Sequence, residues 1–218
     1  MSAPTSDAGR DNRSGLVMVV SRLSSLSNRS TIESGRLFQM APAQTWVGDT
    51  VERGSPVRDW RTSKDGDPIV ITLYDLVASV PSLATQKVEV QDDGGVVSIR
   101  TFSPISGWEG LPPQSAYWLQ IIMMDVDSER EDEFNEWYDR EHIPFISTVK
   151  GFVAVRRFIA NDGRSPRYLA LWQVTDADTL VSPEWKQKAE TPWTHRIRRF
   201  MRNRVRYVCQ PFHDQKRH

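Results

Sequence analysis

The chain has 218 residues, of which 39% are hydrophobic and 26% are charged, a composition typical of a globular protein with one large or two small domains. Lys plus Arg equals Asp plus Glu at 28 each, so no overall field attracts nucleic acid or an anionic membrane. The single cysteine, Cys209, excludes an intrachain disulfide and fits a small core residue.

The N-terminal residues 1–13 are polar and contain no apolar run, which predicts a disordered tail without a signal peptide. No apolar run in the chain approaches the roughly 18 residues of a membrane span. We therefore expect a cytoplasmic protein with neither a membrane nor a nucleic acid as its partner.

Apolar patterns bounded by turn residues predict strands in both halves of the chain. The predicted strands are 16–20, 57–62, 69–76, 96–102, 117–126, 152–159, 167–174 and 205–212. The polar stretch 21–55 is predicted to be irregular. Helices are predicted at about 80–88, from 128 to about 142, where Pro144 ends the helix, and from 183 to about 202, with a break at Pro192.

The predicted elements of the second half follow the order β-α-β-β-α-β, which is the ferredoxin-like pattern. Residues 57–60 (VRDW) and 69–76 of the first half match 155–158 (VRRF) and 167–174, both at an offset of 98 positions. A repeat of this length indicates two fused domains. We predict an α+β fold in which two ferredoxin-like halves, 14–110 and 115–212, pair their antiparallel sheets into an α/β barrel. The space between the sheets is a natural place for a small-molecule pocket.

One stripe of the predicted helix carries Phe134, Trp137, Tyr138, Glu141 and His142. The first two residues fit core packing against the sheet. His142 fits two interpretations equally well: a histidine favoured by the dipole at a helix C-terminus, or an imidazole with a pKa near neutrality that faces a pocket. Asp139 and Glu141 either orient the imidazole or form surface ion pairs, and the surface interpretation is favoured for Asp139.

The sequence contains none of the common metal-binding or phosphate-binding motifs. The four histidines are terminal or far apart, so no metal site is expected: His142, His195, His213 and His218. A basic run fits the solvated face of a helix better than a patch for an anionic ligand; it comprises Arg196, Arg198, Arg199, Arg202, Arg204 and Arg206. Haem bound by His195, with these arginines at its propionates, stays open as an alternative.

The run EFNEWYDREHIPFISTVKGFVAVRRF resembles the dimeric α/β-barrel superfamily, in particular its EthD-like members. The resemblance rests on WYD-x-EH-x-P at 137–144 and GF-x-x-x-RR at 151–157, and it covers 115–212 well and 14–110 weakly. It implies halves that pair sheet to sheet, a pocket between sheet and helices, and one site per chain, because the first half lacks the motif. Relatives include cofactor-free lyases, cyclases, isomerases and monooxygenases that act on aromatic substrates, and also haem enzymes.

We therefore expect a cofactor-independent enzyme of the lyase or isomerase type that acts on a small aromatic or hydrophobic molecule. His142 is expected to be the general base or acid, Tyr138 a donor to a developing oxyanion, and Asp139 or Glu141 the group that sets the imidazole tautomer. The expected substrate-binding residues are Trp118, Tyr168, Trp172 and Arg156. A non-catalytic binding or accessory protein and a cofactor-free monooxygenase are the alternatives, and association into a homodimer stays open.

Overall fold

Eight antiparallel strands close into a barrel in the computed structural model of the chain. The structure describes residues 13–22, 44–50, 68–77, 96–105 and 117–212. The strands are β1 (Arg13–Arg22), β2 (Gln44–Thr50), β3 (Ile69–Val77), β4 (Val96–Pro104), β5 (Trp118–Val126), β6 (Phe152–Ala160), β7 (Tyr168–Val174) and β8 (Met201–Pro211). The predicted α+β fold is confirmed.

The strand order around the barrel repeats within the two halves. The first half runs β4-β1-β3-β2 and the second runs β8-β5-β7-β6, the same fourth-first-third-second order. Two seams join the halves: β2 pairs with β8 over five residue pairs, and β4 pairs with β6 over three. The predicted pairing of two ferredoxin-like sheets is therefore confirmed, while the domain limits 14–110 and 115–212 stay a prediction.

The second strand of the first half does not lie where the sequence placed it. It is β2, Gln44–Thr50, inside the stretch predicted to be irregular, whereas the predicted strand 57–62 and helix 80–88 lie outside the described residues. Only Trp46 and Val47 carry large apolar side chains in β2. The composition of this strand does not predict it. It is stabilised by pairing with β3 and β8 and by complete burial of Trp46 inside the barrel.

The barrel wall separates two apolar cores, because alternate residues of each strand point to opposite faces. The inner core lies inside the barrel and includes Leu119, Ile121 and Met123 of β5 and side chains of the other strands, among them Cys209. The outer core lies between the second-half sheet and the helices, and Ile122 and Met124 of β5 belong to it. Both faces of this sheet are therefore buried, each against a different part of the chain.

One helical segment covers the outer face, and we call it the site helix (residues 131–146). It consists of α1 (Glu131–Trp137), a wider π-type turn (Tyr138–His142) and α2 (Ile143–Ile146). The prediction that Pro144 ends the helix is wrong. Proline cannot donate a backbone hydrogen bond to the preceding turn, and the wide turn directly before it lets the helix continue past that gap.

Two short helices complete the outer layer, α3 (Pro183–Ala189) and α4 (Pro192–Ile197). The predicted break before Pro192 is confirmed. Each helix has a proline as its first residue and a capping side chain directly before it. The side chains of Ser182 and Thr191 accept hydrogen bonds from the backbone N–H groups of Trp185 and Thr194. The helix does not reach residue 202 as predicted, because β8 already begins at Met201, so the last three arginines of the basic run lie on a strand.

Candidate functional site

His142 lies in a cluster of aromatic rings between the site helix and the sheet. Its ring stacks on Trp137, with centroids 4.2 Å apart and an interplanar angle of 23°. The edges of Tyr138 and Trp172 meet it at centroid distances of 5.4 Å each. The residue is partly exposed, but Nδ1 is buried and has no hydrogen-bond partner among the described residues. An unpaired polar atom at such depth is costly in a native structure and requires an explanation, of which a bound ligand is one.

The wide turn of the site helix holds this arrangement. Trp137 is 2% exposed, and its Nε1 donates to Thr194 Oγ1 of α4 at 3.1 Å. Thr191 Oγ1, which precedes α4, donates to a carboxylate oxygen of Glu141. These two contacts anchor the residue directly before the wide turn and a residue within it, and the same turn carries Tyr138 and His142. Local π-type turns inside helices are frequent at functional sites.

Trp172 contributes a second unsatisfied ring atom. It is 1% exposed in the middle of β7, and its Nε1 is buried without a hydrogen-bond partner in the part of the chain that the structure describes. Its ring lies 5.8 Å from Trp185 and 6.4 Å from Tyr138 between centroids. Indole N–H is a donor only, whereas a neutral imidazole nitrogen donates or accepts. Two adjacent rings therefore offer hydrogen bonds that the described residues do not use.

The charge around His142 is positive. Burial, and then the charges of Arg198, Arg157 and Arg204, lower the pKa of His142 to about 3, against a smaller opposing effect of Glu190. The imidazole is therefore neutral at physiological pH, and the predicted pKa near neutrality is wrong. Desolvation and neighbouring cations both disfavour the imidazolium form. The same cations favour an anion placed beside the ring.

Neither predicted carboxylate orients the imidazole. Asp139, with its side chain 48% exposed, pairs with Arg157 at 3.2 Å between Oδ1 and Nη1. Glu141 accepts the hydrogen bond from Thr191. Both carboxylates therefore anchor the helix to its neighbours, and the prediction that one of them sets the tautomer of His142 is wrong. The physical reason is that each carboxylate is taken by another partner, Arg157 for Asp139 and Thr191 for Glu141.

Two neighbouring arginines of β6 occupy opposite faces of the sheet. Arg156 points into the barrel, where its Nη2 lies 2.8 Å from Asp75 Oδ1 of the other half, so this predicted substrate-binding residue does not belong to the His142 site. Arg157 faces the helix, is 2% exposed, and donates to Asn135 Oδ1 at 2.5 Å and to Asp139. Its guanidinium lies 3.9 Å above the ring centroid of Tyr138, a close cation–π contact.

The other predicted site residues lie on the outer face but at different distances from His142. Tyr138 is 2% exposed, and burial raises the pKa of its hydroxyl, so it stays protonated. Tyr168 packs edge-on against Phe134 at 4.9 Å, four residues along β7 from Trp172. Trp118 is half-buried at the start of β5 and packs against the outer core. The structure thus brings His142, Tyr138 and Trp172 together, with Tyr168 at one end of the cluster, whereas Trp118 makes no ring contact with it among the described residues.

Sequence reasoning missed Arg157 as a member of the site. Val155 pairs with Trp172 and Arg157 pairs with Ala170 in the β6–β7 ladder, which places Arg157 on the face of Trp172. The alternation of strand side chains gives this face once the register is known. The register itself comes from the turn at 161–167 and cannot be read from the two strands separately.

His195, the haem ligand of the open alternative, lies on α4 with its side chain 59% exposed and its Nε2 3.6 Å from Glu190. It is not part of the aromatic cluster, so the described structure gives this alternative no support. No group of three or more potential metal-ligating side chains gathers within the described ranges. The helices among these residues are also all too short or too polar to cross a membrane.

Comparison with known proteins finds similar folds but no related sequence family. No model of a known protein family matches the chain, and no curated protein sequence does either. Solved structures do match, among them a chlorite dismutase mutant from Candidatus Nitrospira defluvii, with a TM-score of 0.55 and 8% identity over 93% of each chain. At this identity the likeness shows a shared fold.

Two further structures match along nearly their whole length. A candidate monooxygenase from Fusobacterium nucleatum has a TM-score of 0.53 and 10% identity, covering 91% of this chain and 92% of the other. A major regulator of staphylococcal pathogenesis has a TM-score of 0.52 and 9% identity, covering 91% and 99%. Proteins with different described functions therefore share this barrel, and function has to be argued from the site.

Proposed function

We propose that the chain is a small-molecule enzyme that binds a flat, oxygen-bearing aromatic molecule against the outer face of its second-half sheet and stabilises the anion formed from it. The observation that carries the proposal is the pair of buried ring nitrogens, His142 Nδ1 and Trp172 Nε1, which lack partners among the described residues and lie on rings 5.4 Å apart. Their surroundings are aromatic, and the nearby charges that act on His142 are mostly positive.

The site fits an enolate or phenolate oxygen better than a neutral ligand. Neutral imidazole, with its proton on Nδ1, and indole Nε1 are both hydrogen-bond donors, and fixed donors of this kind stabilise developing negative charge. Arg157, Arg198 and Arg204 add favourable charge. Because its pKa is about 3, His142 is a weak base, and we assign it the role of a neutral donor. A similar use of a histidine kept neutral is known in enzymes that polarise a carbonyl group.

The reaction we assign begins with loss of a proton from an acidic C–H or O–H group of the substrate to water at the exposed edge of His142. The electron pair remains on the substrate as an enolate or phenolate whose oxygen the two rings bind. Return of a proton at another carbon gives isomerisation, and departure of a leaving group gives elimination. These are the lyase and isomerase outcomes, and no cofactor is required for either.

Cofactor-free oxygenation is the second candidate, because the same stabilised carbanion also reacts with dioxygen. The candidate monooxygenase with a similar fold favours this outcome. The EthD-like resemblance of residues 137–144 and 151–157 is compatible with all three reactions, and we propose membership of that group within the barrel superfamily. A binding or accessory protein would use the same site and return its ligand unchanged.

The proposal is tested with 2-naphthol as the probe, whose phenol and phenolate forms differ in absorbance. We expect wild-type protein to bind it and to lower its apparent pKa. Trp172→Phe and His142→Phe should each reduce this shift, since they remove one donor and keep an aromatic ring. Trp46→Phe is the matched control, because the Trp46 Nε1 inside the barrel already donates to the Tyr117 carbonyl at 2.9 Å.

Equal shifts in wild type and in both site variants would contradict the proposal. The fate of bound substrates separates the candidate reactions. Turnover of phenolic and 1,3-dicarbonyl compounds without dioxygen supports the lyase or isomerase type, and a strict requirement for dioxygen supports oxygenation. Tight binding of such compounds with no turnover in either condition supports the binding protein.

A further inference from the structure

The barrel interior contains a cavity of about 180 Å³, on the face of the sheets opposite to His142. Its floor is apolar and comes from both halves: Met18 and Val20 of β1, Met123 of β5 and Val205 of β8. An apolar cavity of about 150 Å³ holds a benzene molecule. The floor therefore accepts a single aromatic ring or a branched aliphatic group of similar volume.

The rim of this cavity is polar, and one of its arginines is rigidly held. Arg100 is 6% exposed, and its guanidinium donates to Asp162 at 2.9 and 3.0 Å and to the carbonyls of Pro166 and Arg164 at 2.7 Å each. These contacts fix the turn between β6 and β7 over the barrel end. Ser98, Ser165 and Tyr207 complete the rim.

Arg164 differs from Arg100 because its guanidinium is only partly engaged. Its Nε donates to Asp162 at 2.9 Å and its Nη2 to the Ile99 carbonyl at 2.5 Å, while Nη1 has no partner among the described residues. The side chain is 56% exposed. A cationic group at the edge of an apolar cavity, with donors still available, is suited to a carboxylate.

The charges near the rim also favour an anion. Burial opposes ionisation of Asp162, but hydrogen bonds from Arg100 and Arg164 lower its pKa to about 2, so it is ionised. Asp125 carries a second negative charge and is occupied by Ser165, Asn203 and the Arg167 amide. Arg22 also lies near the rim, because its charge acts on Tyr207. Three arginine charges, those of Arg22, Arg100 and Arg164, therefore outnumber the two carboxylate charges. Burial raises the pKa of the Tyr207 hydroxyl, which keeps it a donor.

We propose that this barrel-end cavity is a second binding site, separate from the His142 site, for a small carboxylate with an aromatic or branched aliphatic body. The body lies on the Met18, Met123 and Val205 floor, and the carboxylate accepts hydrogen bonds from Arg164 Nη1 and the Tyr207 hydroxyl. The sheet wall separates this ligand from the aromatic cluster on the outer face, so the proposal does not depend on the function assigned to His142.

Methionine methyl NMR tests the location directly, with 4-fluorobenzoate as the probe. The chain has 6 methionines, and neighbouring Met123 and Met124 face the inner and outer cores respectively. We expect saturable shifts of the Met18 and Met123 methyl signals, with Met124 unchanged. Shifts of Met124 alone would place the ligand on the outer face and overturn the proposal, as would no saturable shift at millimolar probe.

Three comparisons test the chemistry of the site. Val205→Trp fills the cavity and should abolish binding, and Arg164→Gln should weaken it about tenfold, the usual effect of losing a charged hydrogen bond. Arg167→Gln is the matched control: it removes a similarly exposed arginine that pairs with Glu131 outside the cavity, and binding should be unchanged. The neutral probe 4-fluorobenzamide should bind at least tenfold more weakly, and equal binding of the two probes, or equal weakening by both arginine variants, would overturn the proposed carboxylate class.

Discussion

His142 is held in its neutral form, and this has a consequence for stability in acid. An unfolded histidine has a pKa near 6.5, whereas the folded value is about 3. Between these values the unfolded chain binds a proton that the native chain does not, so stability falls as the pH falls, by at most about 1.4 kcal/mol per pH unit. We expect His142→Phe, which keeps the stack on Trp137, to flatten the fall in unfolding free energy between about pH 6 and pH 4, measured by urea denaturation.

Asp162 adds little to this fall, because its pKa is about 2 in the folded chain and about 3.9 in the unfolded chain, so its stabilisation is lost mainly below about pH 4. His195→Phe changes an exposed histidine on α4 and is the control, which should keep the wild-type slope. If His142→Phe shows the same slope as wild type, the acid sensitivity comes from other groups and the imidazole of His142 is not held neutral as described above.

Residue types at the site could be predicted from the sequence, but their faces and protonation could not. The WYD-x-EH pattern identified Tyr138 and His142, which the structure does bring together. It could not give the pKa of His142, because two of the arginines that lower it, Arg198 and Arg204, are distant in sequence. Arg156 was expected in the site, but its neighbour Arg157 is the residue that faces His142, because adjacent residues of a strand lie on opposite faces of the sheet.

The wide turn of the site helix is the element that sets the position of His142. Pro144 cannot donate to the carbonyl of Arg140, so a regular turn would leave that carbonyl without its intrahelical partner. Pro144→Ala restores the donor and should favour the regular turn, which rotates His142 away from Trp137. We expect the pKa of His142 to rise from about 3 toward its ordinary value as the ring leaves its buried position, measured by NMR titration of the imidazole signals.

Pro192→Ala is the matched control for that substitution. Pro192 lies in the first turn of α4, where a missing backbone donor costs nothing. This variant should leave the titration of His142 unchanged. A Pro144→Ala protein whose His142 keeps its low pKa would show that side-chain packing, rather than the proline, holds the turn open.

Elements with strong local patterns were predicted well, and those that depend on tertiary contacts were not. The strand Ile69–Val77 is rich in β-branched residues and lies within one residue of its predicted bounds. The strand Gln44–Thr50 was missed, because its stability comes from neighbours on both sides and from the buried ring of Trp46. The start of β8 at Met201 was also missed, since two of its first four residues are arginines, which also fit an exposed helix.

On the scale of the whole molecule, closure of the barrel gives the second-half sheet two buried faces, and the two proposed sites lie on opposite faces. The second-half sheet buries its inner face only because the first half covers it, and the outer face is covered by the second half's own helices. The repeat in the sequence predicted this pairing correctly. It could not assign the candidate site to a face, since both faces of a sheet with two buried sides carry similar apolar residues.

Gly48 lies at the seam that closes the barrel, opposite Cys209 of β8. A Cβ at this position would lie 2.2 Å from the Val208 carbonyl oxygen and 2.7 Å from the Cys209 Cα, so the two backbones would have to separate. We expect Gly48→Ala to lower the unfolding free energy by about 3 kcal/mol, the upper part of the range for overpacking, and to speed hydrogen exchange of the β8 amides at 207–210.

Gly163→Ala is the control, because its Cβ meets nothing within 4 Å and only its φ of +67° is unfavourable. It should leave exchange at the β2–β8 seam unchanged. Unaltered exchange in Gly48→Ala would mean that the two halves do not depend on close contact at this seam.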